Sequence, residues 1–497
     1  MPYIQLVGLT FLKQISLRRI AWCFSILQYI ISLVASAYCD LSNINEVQMI
    51  TSWAQTRIEQ QIVARIDQLS QGEGEYWSFR NNSRRSGVHG LIRYPAMMIP
   101  TMQAKLLEIV RGERDDVRRV LDPFMGSGTM LTEVMEQGLD FSGYDINPLA
   151  ILACKVKAGP FSLTRISERT TDLLFQINED KETNYEVSFS GQSKWFTKGA
   201  SIGLSRIHRA VQNVEDIWLR RFYWLSMAET IRQCSNSRTS TYKLHIKEKD
   251  DITSSMDSVL DAFTRIVESN VVRVVTQCHT LQKEGLMEVP GIYRGQVELT
   301  FQDVTKIDHA NVGRRFDLLF TSPPYGDNTT TIPYGQFSFL ALNWIPIEDI
   351  DVNIPVEINK NTRSIDSVSL GGSLRETSQK AETLFRQSAT FANCYRELYR
   401  DNPSGAKRLS SFCFDLHKSV ESLSNLVARQ GYMVWTLGNR SIAGKRVPLD
   451  EIVFEFLEAY EVRRVAKFTR PILSKRMPAR NSSSETIQDE VVVIATV

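Results

Sequence analysis

Ile58, Ile62, Ile66 and Leu69 recur at helical intervals, with Arg57, Glu59, Arg65 and Asp67 set among them. That spacing predicts an amphipathic helix in the stretch opening at Met49. Gln71-Gly72-Glu73-Gly74 breaks the pattern. A second helix is predicted from Pro100 to Val110. The period then changes. A short apolar run over 117–121 ends in Asp122-Pro123-Phe124-Met125-Gly126-Ser127-Gly128-Thr129, a helix follows over 129–137, and Gly138 stops it. A second run over 140–144 ends in Asp145. Strand, glycine turn, helix, strand and acid in that order form a βαβ unit, which predicts a parallel sheet.

Further strands are predicted at 297–301 (before Gln302-Asp303), 316–320, 432–437 and 490–497, with a helix over 412–428. Residues 158–295 read as mainly helical, notably 201–233 and 252–269, and carry an aromatic cluster of Trp218, Phe222, Tyr223 and Trp224. That cluster is expected in the core rather than as a platform for bases. Residues 326–385 are polar, contain Gly371-Gly372 and give few signals. The fold class expected is therefore α/β, a doubly wound, mostly parallel sheet with a largely helical insertion. The chain shows no internal repeat.

Composition narrows the class only a little. With 497 residues, 43% hydrophobic and 23% charged, the chain can bury a large core and is not a disordered polymer. Its 58 basic residues nearly cancel its 56 acidic ones, so the net charge of +2 neither marks nor excludes a nucleic-acid partner. Cysteines 23, 39, 154, 234, 278, 394 and 413 form no CxxC pair, and no zinc or disulfide spacing is present; no metal is expected. The N-terminus is different in kind. Lys13, Arg18 and Arg19 precede an apolar run from Ile20 to Cys39 with Ala35-Ser36-Ala37 near its end, as in a signal peptide or a marginal membrane helix. Ser25, Gln28, Ser32 and Ser36 weaken it. Residues 1–48 are thus set apart as an apolar extension, either an over-long start with Met49 as the initiator or a genuine segment. Membrane association is not expected, and the chain is expected in the cytoplasm.

The glycine turn admits three readings. A P-loop needs Lys after its last glycine, and Gly128 is followed by Thr129. A dinucleotide fold wants a small third residue where Leu131 stands. A methyl-donor site remains, beside the plain reading of a tight turn without ligand. Asp145 can accept hydrogen bonds from both hydroxyls of a ribose, or it can be a turn residue before Asn147-Pro148. Thr321-Ser322-Pro323-Pro324-Tyr325 follows the buried run 316–320. An aromatic amine is a poor nucleophile because its lone pair is delocalised. Acceptors holding its protons, the Ser322 hydroxyl and the Pro323 carbonyl, would localise that pair, and proline nitrogens offer no competing donor. Tyr325 would stack on a base taken out of the helix.

Together these segments resemble the DNA amino-methyltransferases. Residues 122–129 look like the family's cofactor motif, Thr321-Ser322-Pro323-Pro324-Tyr325 like its catalytic motif, and His89-Gly90 through Tyr94-Pro95-Ala96 to Pro100 like the segment preceding the first. The resemblance covers residues 76–157 and 296–497, and implies a seven-stranded Rossmann-like methyltransferase sheet. It implies S-adenosylmethionine as cofactor, with Asp122, Phe124, Gly126 and Gly128 on its methionine part, Asp145 on the ribose and Asp303 on the adenine. Ser322, Pro323, Pro324 and Tyr325 would orient the target amine. Serine at the first catalytic position favours cytosine N4 over adenine N6. Double-stranded DNA is the implied partner, with a cognate restriction nuclease as a candidate second one. The domains expected are 49–157 and 296–497 as the two parts of the methyltransferase, and 158–295 as a target-recognition insertion. Ser235 to Lys243 would suit phosphates or form a solvated loop, and Lys475, Arg476 and Arg480 could also touch DNA. His89 is expected to be structural. An adenine N6 enzyme, an RNA guanine methyltransferase (Gly326 allows it) and a non-catalytic cofactor-binding subunit are the alternatives.

Overall fold

The computed structural model describes residues 41–71, 76–80, 85–112, 114–307, 315–472 and 489–497, with side chains described from residue 56 onward. The apolar run 20–39, the predicted break at 72–74 and the basic segment 475–480 lie outside the described residues. The chain divides into two units, Met1–Ala64 and Arg65–Val497. Of the first, the described part is helix; it belongs to α1 (Leu41–Ser70), which carries the four predicted periodic residues and begins before Met49.

The second unit is built on one seven-stranded sheet: β1 (Arg119–Asp122), β2 (Asp140–Asp145), β3 (Val297–Phe301), β4 (Phe316–Thr321), β5 (Val427–Gly438), β6 (Arg463–Pro471) and β7 (Asp489–Thr496). Their order across the sheet is β6-β7-β5-β4-β1-β2-β3. The pairs β1–β2, β2–β3, β1–β4 and β4–β5 are parallel; β7 runs antiparallel to both β5 and β6. From β1 the chain winds one way to β2 and β3, then returns to place β4 on β1's other side. Loops after β1 and β4 therefore leave the same edge side by side, which is where an open α/β sheet holds ligands.

Helices cover both faces. Between β1 and β2 comes α3 (Thr129–Glu136), which packs on α2 (Pro100–Gly112); α4 (Pro148–Ala158) follows β2 and packs on β2 and β3. On the other face, α10 (Pro403–Ser424) and α11 (Leu449–Glu458) bury Leu121, Leu319, Met433, Trp435, Leu437, Val491 and Val493 of the strands in one apolar cluster. Alternate positions of the same strands, Val120, Leu318, Phe320, Val434 and Val492, are also buried, as a sheet covered on both sides requires.

Residues 158–295 are mainly helical: α5 (Ile166–Glu179), α6 (Lys198–Gln212), α7 (Ile217–Cys234) and α8 (Met256–Lys283), with a small ribbon at Met287–Val289 and Ile292–Tyr293. They pack on one another and, through α7, on α4. Trp218, Phe222, Tyr223 and Trp224 are all buried. The Trp218 indole donates to the Val156 carbonyl (3.1 Å) and that of Trp224 to Asp349 (2.8 Å), so this cluster is core.

Three departures from the sequence reading have local causes. The segment 326–385 holds several short helices, among them α9 (Tyr334–Leu342), buried at Gly335 and from Ser338 to Leu342. Mostly buried and with no exposed position, it shows no amphipathic stripe to read. Helix α10 starts at Pro403, not 412, because Asn402 caps the Gly405 amide and proline occupies the first turn. Strand β6 was not expected: its sequence RRVAKFTRP is polar because it is the sheet's partly exposed edge.

Candidate active site

Asp122 ends β1 and the turn begins on it. Its Oδ1 accepts from the Phe124 amide (3.1 Å), and Gly126 (φ +50°) and Gly128 (φ +75°) then reverse the chain into α3. Both glycines stand in the left-handed region, where a side chain is strained. A Cβ on Gly128 would also lie 2.9 Å from the Cys154 sulfur. The turn is propped from beneath by Lys157, a buried lysine whose Nζ donates to the Ser127 carbonyl at 2.6 Å.

Asp145, at the end of β2, closes the turn: its Oδ2 accepts from the Gly126 amide (2.9 Å) and its Oδ1 from the Asn147 amide (2.8 Å). The Asn147 side chain caps α4 through Leu149 and donates to Tyr94 (3.0 Å) and Ser338 (2.8 Å). Strand β4 brings the other loop. Thr321 Oγ1 donates to Asp122 Oδ1 at 2.9 Å, so the last residue of β4 is bonded to the last residue of β1. The two loops, 199 residues apart in the chain, meet at one point.

Between them lies a cleft of about 900 Å³, including its open mouth. It is lined by Phe124, Gly126, Ser127 and Thr129 of the turn, by Asp145 and Asp303, by Ser322 and Pro324, and by Tyr94 and Tyr334. Among the described lining residues the only charged side chains are Asp145 and Asp303, and none is basic. Such a cleft repels a phosphate and favours a cation. Burial pushes the Asp145 carboxyl up to about 6 against the pull of its backbone hydrogen bonds. Burial also pushes Asp122 up to about 7, opposed by the bonds from Thr321 and Phe124, and its Oδ2 has no hydrogen-bond partner. Two carboxylates held this way gain most from a positively charged neighbour.

Of the residues singled out in the sequence, Phe124, Gly126, Asp145, Asp303, Ser322 and Pro324 line the cleft. Asp122 is fully buried behind it, Gly128 packs on Cys154, and Pro323 is buried beside Ser322. Asp303 caps the turn Val304–Lys306 and pairs with Lys306 at 3.0 Å. Tyr325 does not line the cleft. Its half-buried ring lies against Gly438, and its hydroxyl sits 3.0 Å from Ser322 Oγ.

Sequence reasoning had no grounds for Asn328, Tyr334, Ile365 or Leu370, which line the cleft from the 326–385 segment. Tyr94 could have been found, because its Tyr-Pro-Ala segment stood out before the turn. Of the stretch from Ser235 to Lys243, Ser235, Asn236 and Ser237 are buried and Arg238 pairs with Glu248, so the first three residues are structural.

His89 lies outside the cleft. Its Nε2 is 3.0 Å from Glu133, and burial drives the imidazole down to about 2 and the carboxyl up to about 8. Burial thus favours the uncharged form of both groups, and which of them donates follows from the tautomer of the ring. The fold prefers protonated Glu133. Its contribution is therefore complete below the ordinary carboxyl range and is lost as pH rises through about 8. Glu133→Gln keeps a donor there and should gain in melting temperature over the parent between pH 6 and 9. A difference that does not change with pH contradicts this assignment. Thr321→Val removes the tie between the loops and leaves Asp122 less satisfied. We expect a loss of ~1–3 kcal/mol in urea unfolding, and an unchanged midpoint would show that the tie carries nothing.

Among the described residues no helix is long and apolar enough to cross a membrane, and no group of His, Cys, Asp and Glu is placed to hold a metal ion. No family model matches the chain. It is 28% identical over 447 residues to the Type II methyltransferase M.MvaI of Kocuria varians, which spans 88% of this chain and 96% of that protein. A 96-residue stretch is 33% identical to the Type II methyltransferase M.MjaII of Methanocaldococcus jannaschii, 19% of this chain and 18% of that one. Similarity along nearly the whole of the first relative, with the sheet described above, supports a DNA methyltransferase family without dividing N4-cytosine from N6-adenine enzymes.

Proposed function

We propose that the chain uses S-adenosylmethionine to methylate the exocyclic N4 of cytosine at a specific site in double-stranded DNA. The observation that carries this is the bond between Thr321 and Asp122, which sets Ser322 beside the glycine turn around one acidic cleft. The residues fit the cofactor. Asp145 keeps lone pairs for ribose hydroxyls, Asp303 offers an acceptor for an adenine amine, and the unpartnered oxygen of Asp122 stands behind the turn that would hold the methionine part. Free amides at the N-terminus of α3 suit its carboxylate. When bound, the cofactor supplies an electrophilic methyl group on a sulfonium.

The chain's own part is orientation. Ser322 Oγ and the Pro323 carbonyl take the amine protons and keep its lone pair localised. The ring of Tyr325, packed against Gly438, is the group proposed to stack on the extruded base. Positioning and acceptors for the developing positive charge supply the rate, and no strong base is needed. Cysteine is not required as a nucleophile: Cys154, nearest the turn, is fully buried and its thiol is pushed up by burial. We place sequence reading in residues 158–295, and a cognate restriction nuclease is the second partner expected.

Purified protein incubated with duplex DNA and methyl-labelled cofactor should yield N4-methylcytosine in a nucleoside digest. N6-methyladenine would transfer the assignment to the adenine branch, label in tRNA alone would favour an RNA enzyme, and no label would point to a non-catalytic subunit.

A further inference from the structure

Three residues on adjacent strands lie in one row: Gly438 of β5 opposite Glu490 of β7, and Glu490 opposite Arg470 of β6. The Tyr325 ring rests on the first of them; a Cβ at Gly438 would stand 2.4 Å from it. Its hydroxyl donates to Glu490 Oε1 at 3.1 Å. The Arg470 guanidinium, almost fully buried, binds Glu490 Oε2 at 2.8 Å and donates to the Trp77 carbonyl at 3.3 Å. The carboxylate is thereby fixed, and the single phenolic proton of Tyr325 is committed to it.

That commitment has a consequence for Ser322. The contact between Ser322 Oγ and the Tyr325 oxygen is 3.0 Å, and by distance alone either could donate. With the phenolic proton on Glu490, only serine can. We propose that Glu490, fixed by Arg470, acts through Tyr325 to turn the Ser322 proton away from the substrate, so that the serine presents lone pairs alone to the target amine. A hydroxyl is both donor and acceptor, and a serine proton facing the amine would hydrogen-bond to its lone pair and suppress nucleophilicity. A carboxylate at this position would need no such arrangement; a serine does. Tyr325, Glu490 and Arg470 are positioning residues in this scheme, and the inference rests on the amine-methylation reading above.

Single-turnover methylation of duplex DNA, with cofactor affinity measured separately by calorimetry, tests it. Tyr325→Phe keeps the ring and its packing, and should lower the rate about tenfold or more with cofactor affinity unchanged. Glu490→Gln should act in the same direction, and the double variant should be no slower than the slower single one, because both act through one chain. In a Ser322→Ala background, Tyr325→Phe should cost nothing further. A parent-like rate for Tyr325→Phe, or an undiminished loss in the Ser322→Ala background, overturns the inference. Where Glu490→Gln does not fold, the cycle of Tyr325 with Ser322 decides alone. Should the parent protein place no methyl group on any amine in DNA, the underlying reading fails instead.

Discussion

Ser322→Ala lowers the rate of methyl transfer by ~10²–10³, the usual effect of removing one preorganised partner of developing charge. Cofactor affinity should stay within about twofold of the parent, since the side chain is proposed to orient the substrate rather than bind the donor. The geometry argues for this separation. The hydroxyl of Ser322 is bonded to Tyr325, which does not line the cleft, whereas the turn is organised by Asp145, Asp122 and Lys157. Calorimetric titration with the cofactor and single-turnover methylation are read side by side. Equal loss in both would mean that Ser322 belongs to the donor site, and the division of roles would fall.

Gly126→Asp has the opposite signature: cofactor binding is abolished and methylation with it. The backbone there has φ +50°, the new carboxylate would stand in the cleft wall, and the Gly126 amide is already bonded to Asp145. Aspartate tolerates the left-handed region better than most residues, so backbone strain of about 1–2 kcal/mol is a minor part. The larger effect is that the new side chain would fill the cleft wall over Gly126, where the methionine part is proposed to lie, and its charge would repel that part's carboxylate. A Cβ at 126 meets only the Tyr94 ring, at 3.5 Å, so the fold itself should survive. Circular dichroism should match the parent while calorimetry shows no heat at concentrations that saturate it; measurable binding would contradict the placement of the cofactor.

The parts legible in the sequence were those whose local pattern equals their final environment. Strands β1, β2, β4, β5 and β7 are central, and β3, though the sheet's other edge, keeps an alternating apolar pattern; the acids and glycines at their ends are read directly as loops on one edge. Strand β6 was hidden because an edge strand need not be apolar. The cleft's far wall was hidden for another reason: Tyr334 and Ile365 reach it from short helices, and Leu370 from the turn after the second, and their packing is decided by the surrounding core. Tertiary partners are equally silent in sequence. Nothing in the last strand distinguishes Glu490 from any strand-end acid until its register with Arg470 and Gly438 is known. The same holds for Lys157, an ordinary helical lysine in sequence and a buried prop under the glycine turn in the fold.

The account turns on one cleft presenting a methyl donor to an amine held at Ser322. A crystal structure of the protein with duplex DNA containing its target site and a non-reactive analogue of the cofactor tests it most directly. The account predicts the analogue over Gly126 and Asp145 and an extruded cytosine whose N4 lies within hydrogen-bond distance, roughly 3 Å, of Ser322 Oγ. A base that stays stacked in the duplex, or an analogue bound away from the loop joined to Thr321, would contradict it.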